Sequence, residues 1–423
     1  MTGPTQPVAR QTVRLARSKA IETVALAASR LLENGQTTER TIVATERLGH
    51  TLGLGARVLP SWDEIVVHLE GAPFADVVPA TPLGVHMGRV LATMTVIDQV
   101  CDGTLPMDAA GSAVATASRQ PPVSMPRFVL FAAIGAASLG VIFGALDTVS
   151  LMLIAFNAAC GAVLRRLLAA RVPNPFIQPL CAAVVAGLVG AAAVRFHLSD
   201  AQGLIAICPC MILVPGPHIL NGAIDLVRTR ISLGIARLGY AGLIVLMICT
   251  GLLLGLAVGG AALPPAAPAV AVPFLADVIA AGGAVAAFGT FFSMPWRLLP
   301  VPIAVGMLAH ATRWALISLV GAHVAVGALG ACLLAGLIIT PIADRLRLPF
   351  AALGFSAVVS MMPGLFLFRA ASALVRTVSI GNQAPLDLVE SIVTNGATAF
   401  LIILAMTFGL ILPRLLLEGA RRN

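Results

Sequence analysis

Pro215-Gly216-Pro217-His218-Ile219-Leu220-Asn221-Gly222-Ala223-Ile224-Asp225-Leu226-Val227-Arg228-Thr229 returns 148 residues later as Pro363-Gly364-Leu365-Phe366-Leu367-Phe368-Arg369-Ala370-Ala371-Ser372-Ala373-Leu374-Val375-Arg376-Thr377. Seven of the fifteen positions are identical: the Pro-Gly pair, one Ala and the run Leu-Val-Arg-Thr. Each copy follows an apolar stretch, so each puts a helix breaker inside an expected membrane span. Proline removes a backbone donor and clashes with the preceding turn. In lipid the freed backbone groups must be satisfied by protein or by a water-filled cavity. Two broken helices at matching places in two halves point to the binding site of a transporter.

The rest of the chain agrees. Hydrophobic residues make up 58% and charged residues 11%, against about 25% charged in a soluble globular protein. Residues 1–126 hold 10 Lys+Arg and 11 Asp+Glu, whereas residues 127–423 hold 17 Arg, no Lys and 8 acids. The chain therefore divides near Arg119-Gln120-Pro121-Pro122 into a near-neutral domain, 1–126, and a membrane part. Ten apolar spans are expected, near 128–145, 147–164, 176–194, 203–227, 238–259, 274–293, 297–312, 319–341, 349–375 and 391–413, each long enough for a hydrocarbon core of about 30 Å. The offset of 148 maps the first five onto the second five, giving repeats over 127–260 and 274–414 joined by the charge-free linker Gly259–Pro273. Five spans per repeat, an odd number, force opposite orientations, so the predicted class is an α-helical polytopic membrane protein built from two inverted five-helix repeats with discontinuous helices, plus an N-terminal cytosolic α/β domain. With residues 1–126 in the cytosol, thirteen arginines fall on the inner side and four (Arg195, Arg313, Arg369, Arg376) on the outer, following the positive-inside rule and placing both termini in the cytoplasm. The net charge of +8 is thus an orientation signal, and no nucleic-acid surface is expected. Arg14, Arg17 and Lys19 lead into an amphipathic stretch with no apolar core after it, so no signal peptide is expected.

Within 1–126, helices are predicted at Ile21–Glu33, Thr38–Leu54, Val85–Val100 and Met107–Ala117, and short strands at Arg57–Trp62, Glu64–Leu69 and Phe74–Val78. His50 and His68 are far apart, no Ser or Cys sits in a nucleophile-elbow context, and Gly53-Leu54-Gly55 is too short for a nucleotide loop. No enzyme and no cofactor is expected. Six of the seven cysteines lie in apolar spans, where Cys acts as a small hydrophobe. Cys208-Pro209-Cys210 lacks a second Cys/His pair, so no metal site is expected.

The chemistry concentrates at the repeated motif. The helix starting after each break points unpaired N–H groups and a partial positive charge at the protein centre, an end suited to a carboxylate. Pro215 and Gly216, with Pro363 and Gly364, therefore frame the expected substrate site, and His218, Asn221 and Arg369 are its expected side chains. Past the first break His218, Asn221, Asp225 and Arg228 fall within about 80° on one helix face. The equivalent positions in the second copy are Phe366, Arg369, Ala373 and Arg376, so the acid and the histidine are not repeated. Asp225, together with His218, is the candidate for proton coupling; His218 also reads as a satisfied interior histidine. Arg369 and Arg376 are the candidates for holding an anionic substrate bidentately. Arg228 and Arg376 supply supporting charge, Arg376 also reading as the outer end of its helix and Arg228 as an interfacial partner of Asp225. Other polar residues in spans are Asn157, Gln178, Asp277, His310, His323, Ser356, Ser360 and Asn395. Asn157 and Asn395 read as interhelical hydrogen bonders, Asp277 as a boundary charge, and the glycines of 251–260 as close helix packing.

The chain resembles the threonine/serine exporter family. The resemblance rests on Leu26-Ala27-Ala28-Ser29-Arg30-Leu31-Leu32-Glu33 with Asn34-Gly35, on Pro-Gly-x-x-x-x-Asn-x-x-x-Asp at 215–225 followed by Arg237 in Gly234-Ile235-Ala236-Arg237, and on Leu348-Pro349 through Pro363-Gly364, which departs from the family in Met361-Met362. It implies an inner-membrane exporter with ten spans and a cytosolic N-terminal domain that exports small hydroxy amino acids, driven by the proton gradient. Some relatives are split in two and tied to dicarboxylate export, which leaves a succinate-like substrate as the alternative. An enzyme acting through residues 1–126 is the reading from another class. The implied partners are a small carboxylate-bearing substrate, protons and the lipid bilayer; a homo-oligomer is left open.

Overall fold

The computed structural model describes residues 5–71, 75–263 and 271–420. Phe74, the middle of the linker at 264–270, and Arg421 and Arg422 lie outside them.

The N-terminal region opens with α1 (Thr5–Glu33), which begins well before the predicted Ile21. It stops where Gly35 takes a φ of +91°, a left-handed conformation that glycine adopts without a Cβ penalty. Then follow α2 (Thr38–Thr51), β1 (Ala56–Pro60), β2 (Glu64–Leu69) and β3 (Ala75–Pro79), an antiparallel meander in which Val58 faces Val67 and Val66 faces Val77. Alternation along β2 buries Ile65, Val67 and Leu69, and α1 covers that face with Val24, Ala28 and Leu31. α3 (Met87–Cys101) and α4 (Ala110–Ala117) complete the region. His86 caps α3, its Nδ1 accepting from the Arg89 N–H at 3.1 Å.

From residue 125 onward the chain is helical: α5 (Met125–Ile142), α6 (Thr148–Ala169), α7 (Ile177–Arg195), α8 (Gln202–Met211), α9 (Gly216–Val227), α10 (Ile231–Val258), α11 (Phe274–Phe291), α12 (Pro300–Ser318), α13 (Val324–Arg345), α14 (Phe350–Val358), α15 (Gly364–Ile380) and α16 (Leu386–Ala420). Among the described residues nine helices are long and apolar enough to cross a membrane, ten if α8 and α9, bent by 61° at their break, count as one span. Large apolar side chains such as Met152, Phe156, Leu275, Ile279 and Phe400 stand exposed along these helices, an outer face suited to lipid.

Two predicted spans were cut short at charges. The sequence predicts the fifth from 238 and the seventh to 312, yet α10 starts at Ile231 and α12 runs to Ser318, carrying Arg237 and Arg313 inside helices. The packing pairs recur between the two sets of helices: α7 lies on α10 and α13 on α16, α5 on α6 and α11 on α12, while α5 and α11 pack on each other. α7 and α10 meet through glycines. A Cβ at Gly187, Gly251 or Gly255 would run into the backbone of the facing helix, which is the close packing read from the glycine run.

Candidate functional site

Both Pro-Gly breaks have the same geometry. Pro215 sits at φ −79°, ψ 62°, and the Gly216 N–H donates to the Val214 carbonyl at 2.8 Å. Pro363 sits at φ −79°, ψ 36°, and the Gly364 N–H donates to the Met362 carbonyl at 2.9 Å. Each is an i to i+2 closure near the inverse γ-turn, and it satisfies one of the backbone groups that the proline sets loose. The two breaks also touch. A Cβ on Gly216 would come 2.5 Å from Val359 Cγ2, and one on Gly364 would come 3.1 Å from Met211 Cγ. Positions 211 and 359, like 216 and 364, are 148 residues apart, so each half-helix start rests on the same point of the other bent segment.

Beyond the first break the predicted face assembles: His218, Asn221 and Asp225 are all buried on α9. Residues from the N-terminal region cover it. The Thr38 hydroxyl donates to Asp225 Oδ2 at 2.9 Å, and Arg237 Nε lies 3.3 Å from the same oxygen. His218 Nε2 is 3.0 Å from the Pro82 carbonyl, and Asn221 Nδ2 donates to the Gly35 carbonyl at 3.3 Å. The Tyr240 hydroxyl donates to the Leu83 carbonyl at 3.1 Å, and its ring packs against Trp62 and His218. Arg228 lies 3.3 Å from Glu39, which also accepts from Arg230, so the acid that Arg228 meets is Glu39 as well as the nearby Asp225 field. Burial pushes the Glu39 carboxyl up, but the hydrogen bond from Arg230 and the charge of Arg228 outweigh it and hold the carboxyl below its usual value.

In the second copy Arg369 is half-buried beside its break and Arg376 is exposed toward the far end of α15; neither has an ion pair among the described residues. The break carries a different polar group. His310 on α12 is fully buried, with Nδ1 3.3 Å from Asp277 Oδ2 on α11 and Nε2 3.1 Å from Ser360 Oγ in the turn before Pro363. Asp277, 3% exposed, is therefore no boundary charge; it holds the histidine. Sequence reasoning named these three residues singly but had no spacing that joins three helices. Asn157 does bond between helices, donating to the Ala186 and Ile205 carbonyls. Among the described residues Asn395 does not: it donates to Ser391 on its own helix. His323 caps α13 by accepting from the Ala325 N–H at 3.3 Å. Thr38, Gly35, Pro82 and Leu83 went unsuspected because nothing in the sequence links them to residues 136 to 187 positions away.

A family model described as a threonine/serine exporter matches residues 22–259, and a second, also described as a threonine/serine exporter, matches residues 277–416. No curated protein and no solved structure matches the chain.

Proposed function

Because this chain belongs to the threonine/serine exporter family, whose members are multi-pass membrane transporters and not enzymes, we propose that it is a secondary active exporter of small hydroxy amino acids driven by the proton gradient. The observation that carries the mechanism is the reciprocal contact of the two breaks, Gly216 on Val359 and Gly364 on Met211. Such a contact is what two inverted five-helix repeats, 127–260 and 274–414, would make across a pseudo-two-fold axis. The matching packing pairs support the same arrangement. With residues 1–126 and the C-terminus in the cytoplasm of the inner membrane, the Asp225 cluster lies on the inner side of the crossing and the Asp277–His310–Ser360 chain on the outer side.

The substrate carboxylate docks at the crossing, near Pro215–Asn221 and Pro363–Arg369, where two helix starts direct partial positive charge inward. Asp225, with His218, exchanges the proton. While ionised, Asp225 holds Arg237 and Thr38 and keeps residues 34–38 seated on the inner face. Protonation removes the charge that Arg237 needs, leaves the guanidinium buried and unpaired, and so releases that face. A proton entering from outside finds its path in Asp277, His310 and Ser360, which lead to the break. The dicarboxylate alternative draws its support from Arg369, half-buried without an ion pair among the described residues.

The test is transport by proteoliposomes loaded with labelled threonine, serine or succinate under an imposed pH gradient. Wild type is expected to move threonine or serine, and Asp225→Asn to lose the gradient dependence. Full gradient-driven flux in Asp225→Asn sinks the coupling assignment. Succinate movement alone, abolished by Arg369→Ala, moves the substrate to the dicarboxylate class.

A further inference from the structure

A cavity of ≈ 20 Å³ lies against the first bent segment, lined by Asn157, Gly161, Ala162, Arg165, Leu213 and Phe291. Two buried polar atoms of its lining have no hydrogen-bond partner among the described residues: Nη1 of Arg165 and Oδ1 of Asn157. Asn157 is 1% exposed, and its nitrogen is committed to the carbonyls of Ile205 at 2.9 Å and Ala186 at 3.3 Å, which leaves Oδ1 as the spare acceptor. The Arg165 guanidinium lies over the Phe291 ring at 4.3 Å and has no ion pair among the described residues. Buried donors and acceptors left unpaired carry their full desolvation cost, which a ligand that pairs them recovers.

The other half makes the vacancy specific. Arg313 stands 148 residues after Arg165 and lines a cavity beside the second break, with Ser360 and Phe366. There the charge of Asp277 acts on the guanidinium. The position equivalent to Asp277 in the first half is Val129, which supplies no carboxylate. Among the described residues Arg165 thus lacks the anion that its counterpart finds.

The geometry points to this cavity as the station that holds the amino acid before it passes to the crossing, with the substrate carboxylate on Arg165 and its ammonium on Asn157 Oδ1. The assignment rests on the exporter reading and deepens it. A guanidinium takes a carboxylate bidentately, and an amide oxygen accepts from an ammonium. The two residues are eight positions apart on α6, about 12 Å along its axis, and an arginine side chain leans toward its helix N-terminus, here toward Asn157. The wall between them is Gly161 and Ala162, which leaves room only for a small side chain. At ≈ 20 Å³ the cavity has room for one or two waters; an amino acid enters when the bent pair α8–α9, which contributes Leu213, moves off α6.

The test is equilibrium binding to the purified full chain in nanodiscs, using labelled L-threonine, with threoninamide and 3-hydroxybutyrate as competitors lacking the carboxylate and the ammonium. Wild type is expected to bind threonine about 10- to 100-fold more tightly than either competitor. Arg165→Gln is expected to lose the preference for threonine over threoninamide, and Arg165→Lys to recover part of it. Ala162→Leu, which fills the cavity without touching a polar group, is expected to abolish binding, and serves should Arg165→Gln fail to fold. Wild-type affinity in Arg165→Gln or Ala162→Leu overturns the site while gradient-driven threonine export by wild type keeps the exporter reading. Absence of both binding and export in wild type overturns the two together.

Discussion

Asp225 and Arg237 are each 1% exposed, and their charges are offset chiefly by one another at 3.3 Å. Breaking such a buried pair from one side leaves an uncompensated ion at a cost of about 3–5 kcal/mol, whereas removing both charges together is close to neutral. Arg237→Gln is therefore expected to lower the thermal unfolding midpoint of the purified protein sharply, and Asp225→Asn to do so as well. The double variant should unfold nearer to wild type than either single one. If the two losses simply add, the pair is not coupled and the inner face is held by something else. The sequence pattern singled out Asp225 as the element absent from the second repeat and put Arg237 in the same motif. Their meeting was not legible, because a turn between α9 and α10 folds the second back on the first. Thr38 was still less so: its hydroxyl reaches Asp225 across 187 residues of sequence.

At the scale of elements, the breaks at 215 and 363 were readable because Pro-Gly within an apolar run has few structural outcomes. What the breaks do to one another was not. Gly216 faces a β-branched side chain, Val359, set in a one-turn 3-10 helix between two half-helices, so neither partner can swing aside. Gly216→Ala is expected to destabilise by about 1–3 kcal/mol through overpacking, read as a lower unfolding midpoint, and to slow export because the crossing must repack during each cycle. Val359→Ala in the same chain should restore much of both. Full activity and stability in Gly216→Ala alone would mean that the two bent segments do not bear on each other in the membrane. The same limit on reading explains the spans cut at Arg237 and Arg313. A charge marks the end of a span only where it meets water, and here Asp225 and Asp277 supply the counter-charge within the protein.

At the scale of the molecule, the N-terminal region is fastened across both sets of helices. Glu39 meets Arg228 and Arg230 from the first set; Arg40 reaches Asp344 at 2.5 Å and Asp102 pairs with Arg347 from the second; the Met87 N–H donates to the Phe292 carbonyl at 2.7 Å. Composition alone separated this region from the apolar helices, yet its near-neutral charge said nothing of where its acids and bases are directed. The seat is expected to respond to pH at His86, whose Nε2 lies 3.3 Å from the Pro121 carbonyl. Burial, helped by the charge of Arg89, pushes the His86 pKa down to about 4, against a usual value near 6.5. The seated form thus binds fewer protons than the released form between those values, so its stability is complete above about 6.5 and is lost progressively as pH falls toward 4. Glu39 acts in the same direction at lower pH: its carboxyl, held below the usual value by Arg230 and Arg228, withdraws its contribution as it becomes protonated. Hydrogen exchange at residues 34–39 and 82–86 is expected to be slow at pH 7.5 and several-fold faster at pH 5, with the acid-induced rise reduced in His86→Gln. Exchange that stays equally slow at both values would mean that His86 titrates without loosening the seat, and would leave the Asp225 pair and the salt bridges to hold the N-terminal region unaided.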